Sequence, residues 1–89
     1  MSYVQDQSLR VRVIEVIADR TGVHREQLGE DIFFGELGCD SLDVVEVGIA
    51  IDEEFGVDFQ AKATGKHLPK NLSEVMKILE ICLAEKAAA

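Results

Sequence analysis

The sequence predicts a small all-α bundle of three main helices, with an irregular or short helical segment before the last. Two observations lead there. Apolar residues recur at helical spacing over residues 9–17, 44–55 and 72–83. A capping residue precedes each stretch (Asp6, Asp40, Asn71), and a glycine, Gly22 or Gly56, follows each of the first two. The 89 residues suffice for one domain. Residues 1–89 are read as that domain, with an ordered core of about residues 6–85.

Asp6 can cap a first helix that runs to about Arg20. Leu9, Val13, Val16 and Ile17 share one face, and Val11 and Ile14 are expected to widen the stripe. Gly22 suits a left-handed C-cap. Residues 23–35 read as a long loop. Val23 and Leu28 should pack inward, and Ile32, Phe33 and Phe34 form a cluster too apolar for solvent, so at least one Phe should plug the top of the bundle. His24 has no metal-ligand neighbours at useful spacing and reads as an exposed loop residue.

Glu36-Leu37-Gly38-Cys39-Asp40-Ser41-Leu42-Asp43-Val44-Val45-Glu46 organises the chain. A glycine turn runs into a helix start at which Asp40 is the N-cap. Asp43, three residues on, completes a capping-box-like pair. Ser41 then has no structural duty at the first helical position. Its hydroxyl points outward beside unsatisfied N–H groups and the positive end of the helix dipole, a favourable place for a covalently attached phosphate.

The second helix is predicted from about Ser41 to Phe55. Val44, Val47, Ile51 and Phe55 face the core. Leu42, Val45 and Ile49 form a second stripe flanked by Glu46, Asp52 and Glu53, on the side that bears Ser41. Anchor residues, an acidic rim and a modification site coincide there, which marks a partner-binding face.

Residues 60–70 differ from their surroundings: Lys62, Lys66, His67 and Lys70 occur with Gly65 and Pro69 and no acid. Gly65 and Pro69 argue against one continuous helix. An irregular, mobile connection is expected, with at most a short turn near residues 60–63. The basic run is either a solvated loop or a patch that meets the acidic second helix or a partner. Asn71 can cap a last helix, with Glu74 completing the box. Leu72, Val75, Leu79 and Cys82 share its inner face beside Met76 and Leu83. It should end near Glu85, leaving a frayed alanine tail.

The net charge of −8 argues against nucleic acid or an anionic membrane as partner, since both need a basic footprint. It suits basic protein partners. Four Phe, one Tyr and no Trp imply an aliphatic core. Two cysteines make no disulfide framework and suggest a reduced pair in a cytoplasmic protein. No run is long and apolar enough to span a bilayer. Neither histidine is placed near Ser41 by any motif, and a nucleophilic serine needs a positioned base, so a hydrolase is excluded. The acids do not follow calcium-loop spacing.

The Gly38–Glu46 motif, followed by Ile49-Ala50-Ile51-Asp52-Glu53-Glu54-Phe55-Gly56-Val57, resembles the acyl carrier proteins over about residues 9–58. In that family the serine of an Asp-Ser-Leu motif carries 4′-phosphopantetheine. The resemblance implies attachment at Ser41, with Asp40 and Leu42 as its motif neighbours, by a phosphopantetheinyl transferase that uses coenzyme A. The terminal thiol would carry acyl groups as thioesters between enzymes of fatty-acid, polyketide or specialised lipid pathways. It further implies a monomer without catalytic residues or metal. The second helix, through Asp43, Val45, Glu46, Ile49, Asp52 and Glu53, would dock on basic patches of acyl-transfer and synthase enzymes. Gly48 stands where the family usually has an apolar side chain, a neutral change or a widened acyl cavity. Val57-Asp58-Phe59 replaces the family's usual entry to a short third helix. Two rivals remain: an aminoacyl or peptidyl carrier, and an unmodified acidic helical adaptor.

Overall fold

The computed structural model describes the backbone of residues 2–88 and the side chains of residues 8–88. Four helices occur in the order α1 (Ser2–Thr21), α2 (Ser41–Phe55), α3 (Phe59–Lys62) and α4 (Leu72–Ala88). Single 3₁₀ turns lie at Arg25–Gln27, Phe34–Leu37 and Gly65–His67, and no strand occurs among the described residues. The all-α expectation of three main helices and a short irregular segment holds.

Helix α1 packs chiefly against α2, and α3 bridges α2 and α4. The core is a mainly aliphatic column: Val13 and Ile17 from α1, Val47 and Ile51 from α2, Phe59 from α3, and Leu72, Val75 and Leu79 from α4 are all fully buried. Each such side chain contributes about 1.5–3 kcal/mol relative to exposure. Val11 is the exception on α1, at 52% exposed. It lies two residues from Val13, roughly 200° around a helix of 3.6 residues per turn, and so faces away from α2.

Both ends of the bundle differ from the expected boundaries. Helix α1 starts at Ser2 rather than after Asp6, because neither Gly nor Pro interrupts residues 2–7 and extending a formed helix adds one hydrogen bond per residue fixed. Helix α4 continues past Glu85 to Ala88. Alanine is the best helix former, and Lys86 Nζ donates to the Phe55 carbonyl at 3.1 Å, which ties this last turn to α2. Gly22 and Gly56 end α1 and α2 in the left-handed conformation, as expected.

The long first connection is held by the start of α4. Phe34 N–H donates to Lys70 O at 2.8 Å and Ser73 N–H to Glu30 O at 3.0 Å. These bonds seat Phe34 in the core at 4% exposed, the expected plug, with Leu28 buried and Val23 half-buried. Ile32 and Phe33 stay exposed, so the cluster divides instead of burying as a unit. Only Phe34 sits where the backbone bond to Lys70 turns its ring inward. His24 is exposed, and its N–H donates to Gln27 Oε1 at 3.1 Å.

Asn71 caps α4 through Oδ1, which accepts from Glu74 N–H at 2.9 Å. The return bond goes one residue further back, from Lys70 N–H to Glu74 Oε1 at 2.8 Å. Residues 59–70 form the short α3, a 3₁₀ turn and extended backbone. Lys62 pairs with Glu85 on α4, not with the acids of α2.

Candidate functional site

The site is built on the start of α2. Gly38 adopts the left-handed conformation (φ 85°) and turns the chain from the Phe34–Leu37 turn towards the helix. Asp40 Oδ1 accepts from Asp43 N–H at 3.0 Å, and Asp43 Oδ2 accepts from Asp40 N–H at 3.0 Å. This reciprocal box satisfies the third amide of the helix and fixes the turn. The first two amides, of Ser41 and Leu42, have no acceptor among the described residues. Ser41 is exposed at the first helical position, so its hydroxyl stands beside two free N–H donors at the positive end of α2.

A cleft of about 380 Å³ opens beside Ser41. Phe33, Phe34, Val44, Leu68 and Pro69 supply apolar lining, and Asp40, Lys66 and Lys70 supply charge. The sequence left open whether the basic run of residues 60–70 is a solvated loop or a patch that meets the second helix or a partner; Lys66 and Lys70 line the same cleft as Ser41. For Lys70 that placement follows from its backbone bond with Phe34, a contact between residues far apart in the chain.

Cys39 is half-buried in the same wall, and Cys82 is buried on α4, lining a cleft with Gly56, Val57 and Asp58; both are free thiols. Burial pushes the Cys39 thiol above its ordinary value, and the carboxylates of Asp43 and Asp40 push it further.

The outward stripe of α2 is present. Leu42 is 63% exposed and Val45 37%, with Ile49 half-buried beside them. Glu46 is exposed and has no cation partner among the described residues. The two acids nearer the C-terminal end are engaged within the protein. Asp52 is half-buried and accepts from the Phe59 N–H, from Gln60 N–H at 3.4 Å and from Gln60 Nε2 at 3.0 Å. It thereby caps α3, whose own N-cap residue Asp58 makes no side-chain bond. Glu53 meets Arg20 of α1 at 3.4 Å.

Gly48 is buried, and a β-carbon there would meet Phe59 Cδ1 at 3.4 Å, an ordinary contact. Beneath it lies a smaller cleft of about 110 Å³ between Val44, Gly48, Phe59, Ala63 and Leu68. No group of His, Cys, Asp and Glu that could hold a metal occurs among the described residues. Among the described residues no helix is long and apolar enough to cross a membrane.

Comparison with known proteins gives two findings. A family model described as "Phosphopantetheine attachment site" matches residues 11–63. The chain is also 37% identical, over 70 residues, to the acyl carrier protein of Sinorhizobium fredii (strain NBRC 101917 / NGR234), a match that covers 78% of this chain and 87% of that protein.

Proposed function

Because the chain belongs to the acyl carrier proteins, carriers rather than enzymes that bear a covalent 4′-phosphopantetheine arm, we propose that Ser41 is the residue that bears it. The observation that carries this reading is the division of labour at the start of α2. Asp40 and Asp43 cap the helix between themselves, which leaves the Ser41 hydroxyl exposed and without structural duty. The site fits the group. A phosphate on Ser41 would lie by the free amides of Ser41 and Leu42, where negative charge is favoured, and the apolar cleft adjoins it.

When bound, the arm supplies a terminal thiol on which acyl groups are held as thioesters. The chain's residues serve attachment and presentation. Asp40 and Asp43 hold the helix start rigid, and the free amides favour the phosphate's charge. Leu42, Val45 and Ile49 offer an apolar surface to the phosphopantetheinyl transferase and to acyl-transfer and synthase enzymes. Glu46 and Asp43 give that surface its charge, and Glu53 extends it towards α1. Basic patches on fatty-acid or polyketide enzymes complement it. Asp52 belongs at its margin, since its carboxylate also holds α3. We read the protein as a cytoplasmic monomer that acts as one domain.

The test compares wild type and Ser41→Ala after treatment with a broad-specificity transferase and coenzyme A. The wild type gains the mass of one phosphopantetheine and the variant gains none, with equal helical circular dichroism. A mass gain on the variant, or loss of its helix, defeats the assignment.

A further inference from the structure

The chain has nine Lys and Arg residues against seventeen Asp and Glu. Most of the cations are engaged. Arg10, Arg12, Arg20, Arg25 and Lys62 form ion pairs, and Lys86 binds the Phe55 carbonyl. Lys66, Lys70 and Lys77 have no ion-pair partner among the described residues. Two of these three line the cleft that has Ser41 on its wall. The Lys70 main chain is held at both ends, its carbonyl by Phe34 N–H and its N–H by Glu74, each at 2.8 Å. Its side chain therefore starts from a fixed stem. Lys66 stands on the Gly65–His67 turn at the same rim.

Two lysines without an ion-pair partner among the described residues, both lining one largely apolar cleft of a strongly acidic protein, are a ready counter-charge for an anion. Ser41 determines which anion reaches that place. A phosphodiester on its hydroxyl is held within one bond of the cleft wall, whereas the far end of a long flexible arm is not. We propose that Lys66 and Lys70 bind the phosphodiester of the protein's own arm and so lay the arm against Phe33, Phe34, Leu68 and Pro69 when no enzyme is engaged. This rests on the attachment at Ser41. It makes Lys66 and Lys70 positioning residues, displaced when an enzyme's cations take the phosphate.

The experiment uses the full chain loaded by a transferase, with intact mass measured first and ³¹P relaxation of the phosphodiester second. Wild type is compared with Lys66→Gln, Lys70→Gln, the double variant and Lys77→Gln, a control of equal charge change away from the cleft. A phosphate held by lysines loses local rotation about the Ser41 side chain and its ester bonds, and so relaxes faster than one tethered by the ester alone. Each cleft variant is expected to lower the held fraction about twofold to fivefold, the effect of an exposed ion pair. High salt on the wild type should reproduce the loss, and Lys77→Gln should leave relaxation unchanged. Since salt alone tests the contact, a variant that failed to fold would not shield the proposal. Absence of a mass gain overturns the attachment and this inference together. A normal mass gain with relaxation indifferent to both lysines and salt overturns this inference alone. A lysine dependence seen only when the arm carries a dicarboxylic acyl group also overturns it, and transfers the lysines to the cargo's carboxylate.

Discussion

At the C-terminal end of α2, Glu53 and Glu54 reach Arg20 and Arg12 of α1, and Asp52 caps α3. Arg12 also lies over the Phe55 ring, 4.5 Å from its centroid, and Lys86 binds the Phe55 carbonyl. At the N-terminal end, Glu46 meets no cation among the described residues, Leu42 and Val45 are exposed, and Asp40 and Asp43 hold only each other's amides. One helix thus uses similar acids for two purposes. Near the C-terminus they join α2 to its neighbours, and near Ser41 they remain available to a partner. Acidic density along a helix is therefore a poor guide to a binding face until the intramolecular cations are placed.

The sharpest way to break this comparison is through stability. Asp52→Ala removes the acceptor shared by the amides that open α3, and urea unfolding should show a loss of about 1–3 kcal/mol. Glu46→Ala, at the free end, should stay within about 0.5 kcal/mol of wild type. Similar losses from both would erase the distinction between the two ends.

The complementary measurement is recognition. Glu46→Lys should lower the second-order rate of transferase loading about tenfold, equivalent to about 1.4 kcal/mol. Glu53→Lys should have a smaller effect on that rate and a visible one on the contact with Arg20. Wild-type loading should also slow as salt rises, since exposed charges are screened over about 8 Å at physiological ionic strength. Equal slowing by the two reversals would extend the docking surface along the whole helix.

Between the two ends, Gly48 sits against Phe59. Gly48→Ala should stabilise the protein by about 0.5–1 kcal/mol, the usual cost of a mid-helix glycine, because the new methyl meets the ring at ordinary contact distance. Destabilisation in a thermal melt would show that the closeness of Phe59 to the α2 backbone is itself required.

The smallest expected effect is alkaline. Burial raises the thiols of Cys39 at one end and Cys82 at the other above their ordinary value. The unfolded chain then loses these protons at a lower pH than the folded one, so thiol ionisation does not alter stability below about pH 8.5 and reduces it as pH rises further. Replacing both cysteines with alanine should flatten that part of the stability profile. An unchanged slope would assign the alkaline loss to other groups.

The start of α2 was legible in the sequence because capping is local. Asp40, Ser41 and Asp43 lie within four residues, and the geometry of a helix start places them without reference to the rest of the chain. The same holds for Asn71 with Glu74, and for Gly22 and Gly56 at helix ends, where backbone conformation alone favours glycine. The core faces of α2 and α4 followed from helical periodicity, since a stripe such as Val44, Val47 and Ile51 can bury in only one direction. Other assignments depended on neighbours distant in sequence. Val11 is exposed because α1 turns its Val13–Ile17 side to α2. Asp52 became a cap because α3 begins within reach of its carboxylate. Phe34 and Phe33 separated because a backbone bond to Lys70 seats only the first of them. Lys70 came to line the Ser41 cleft through that same bond. Local propensity determined where helices begin and which side of each is apolar; long-range packing decided which polar and charged groups meet, because a side chain's partner is set by the path of the whole backbone and not by its neighbours in the chain.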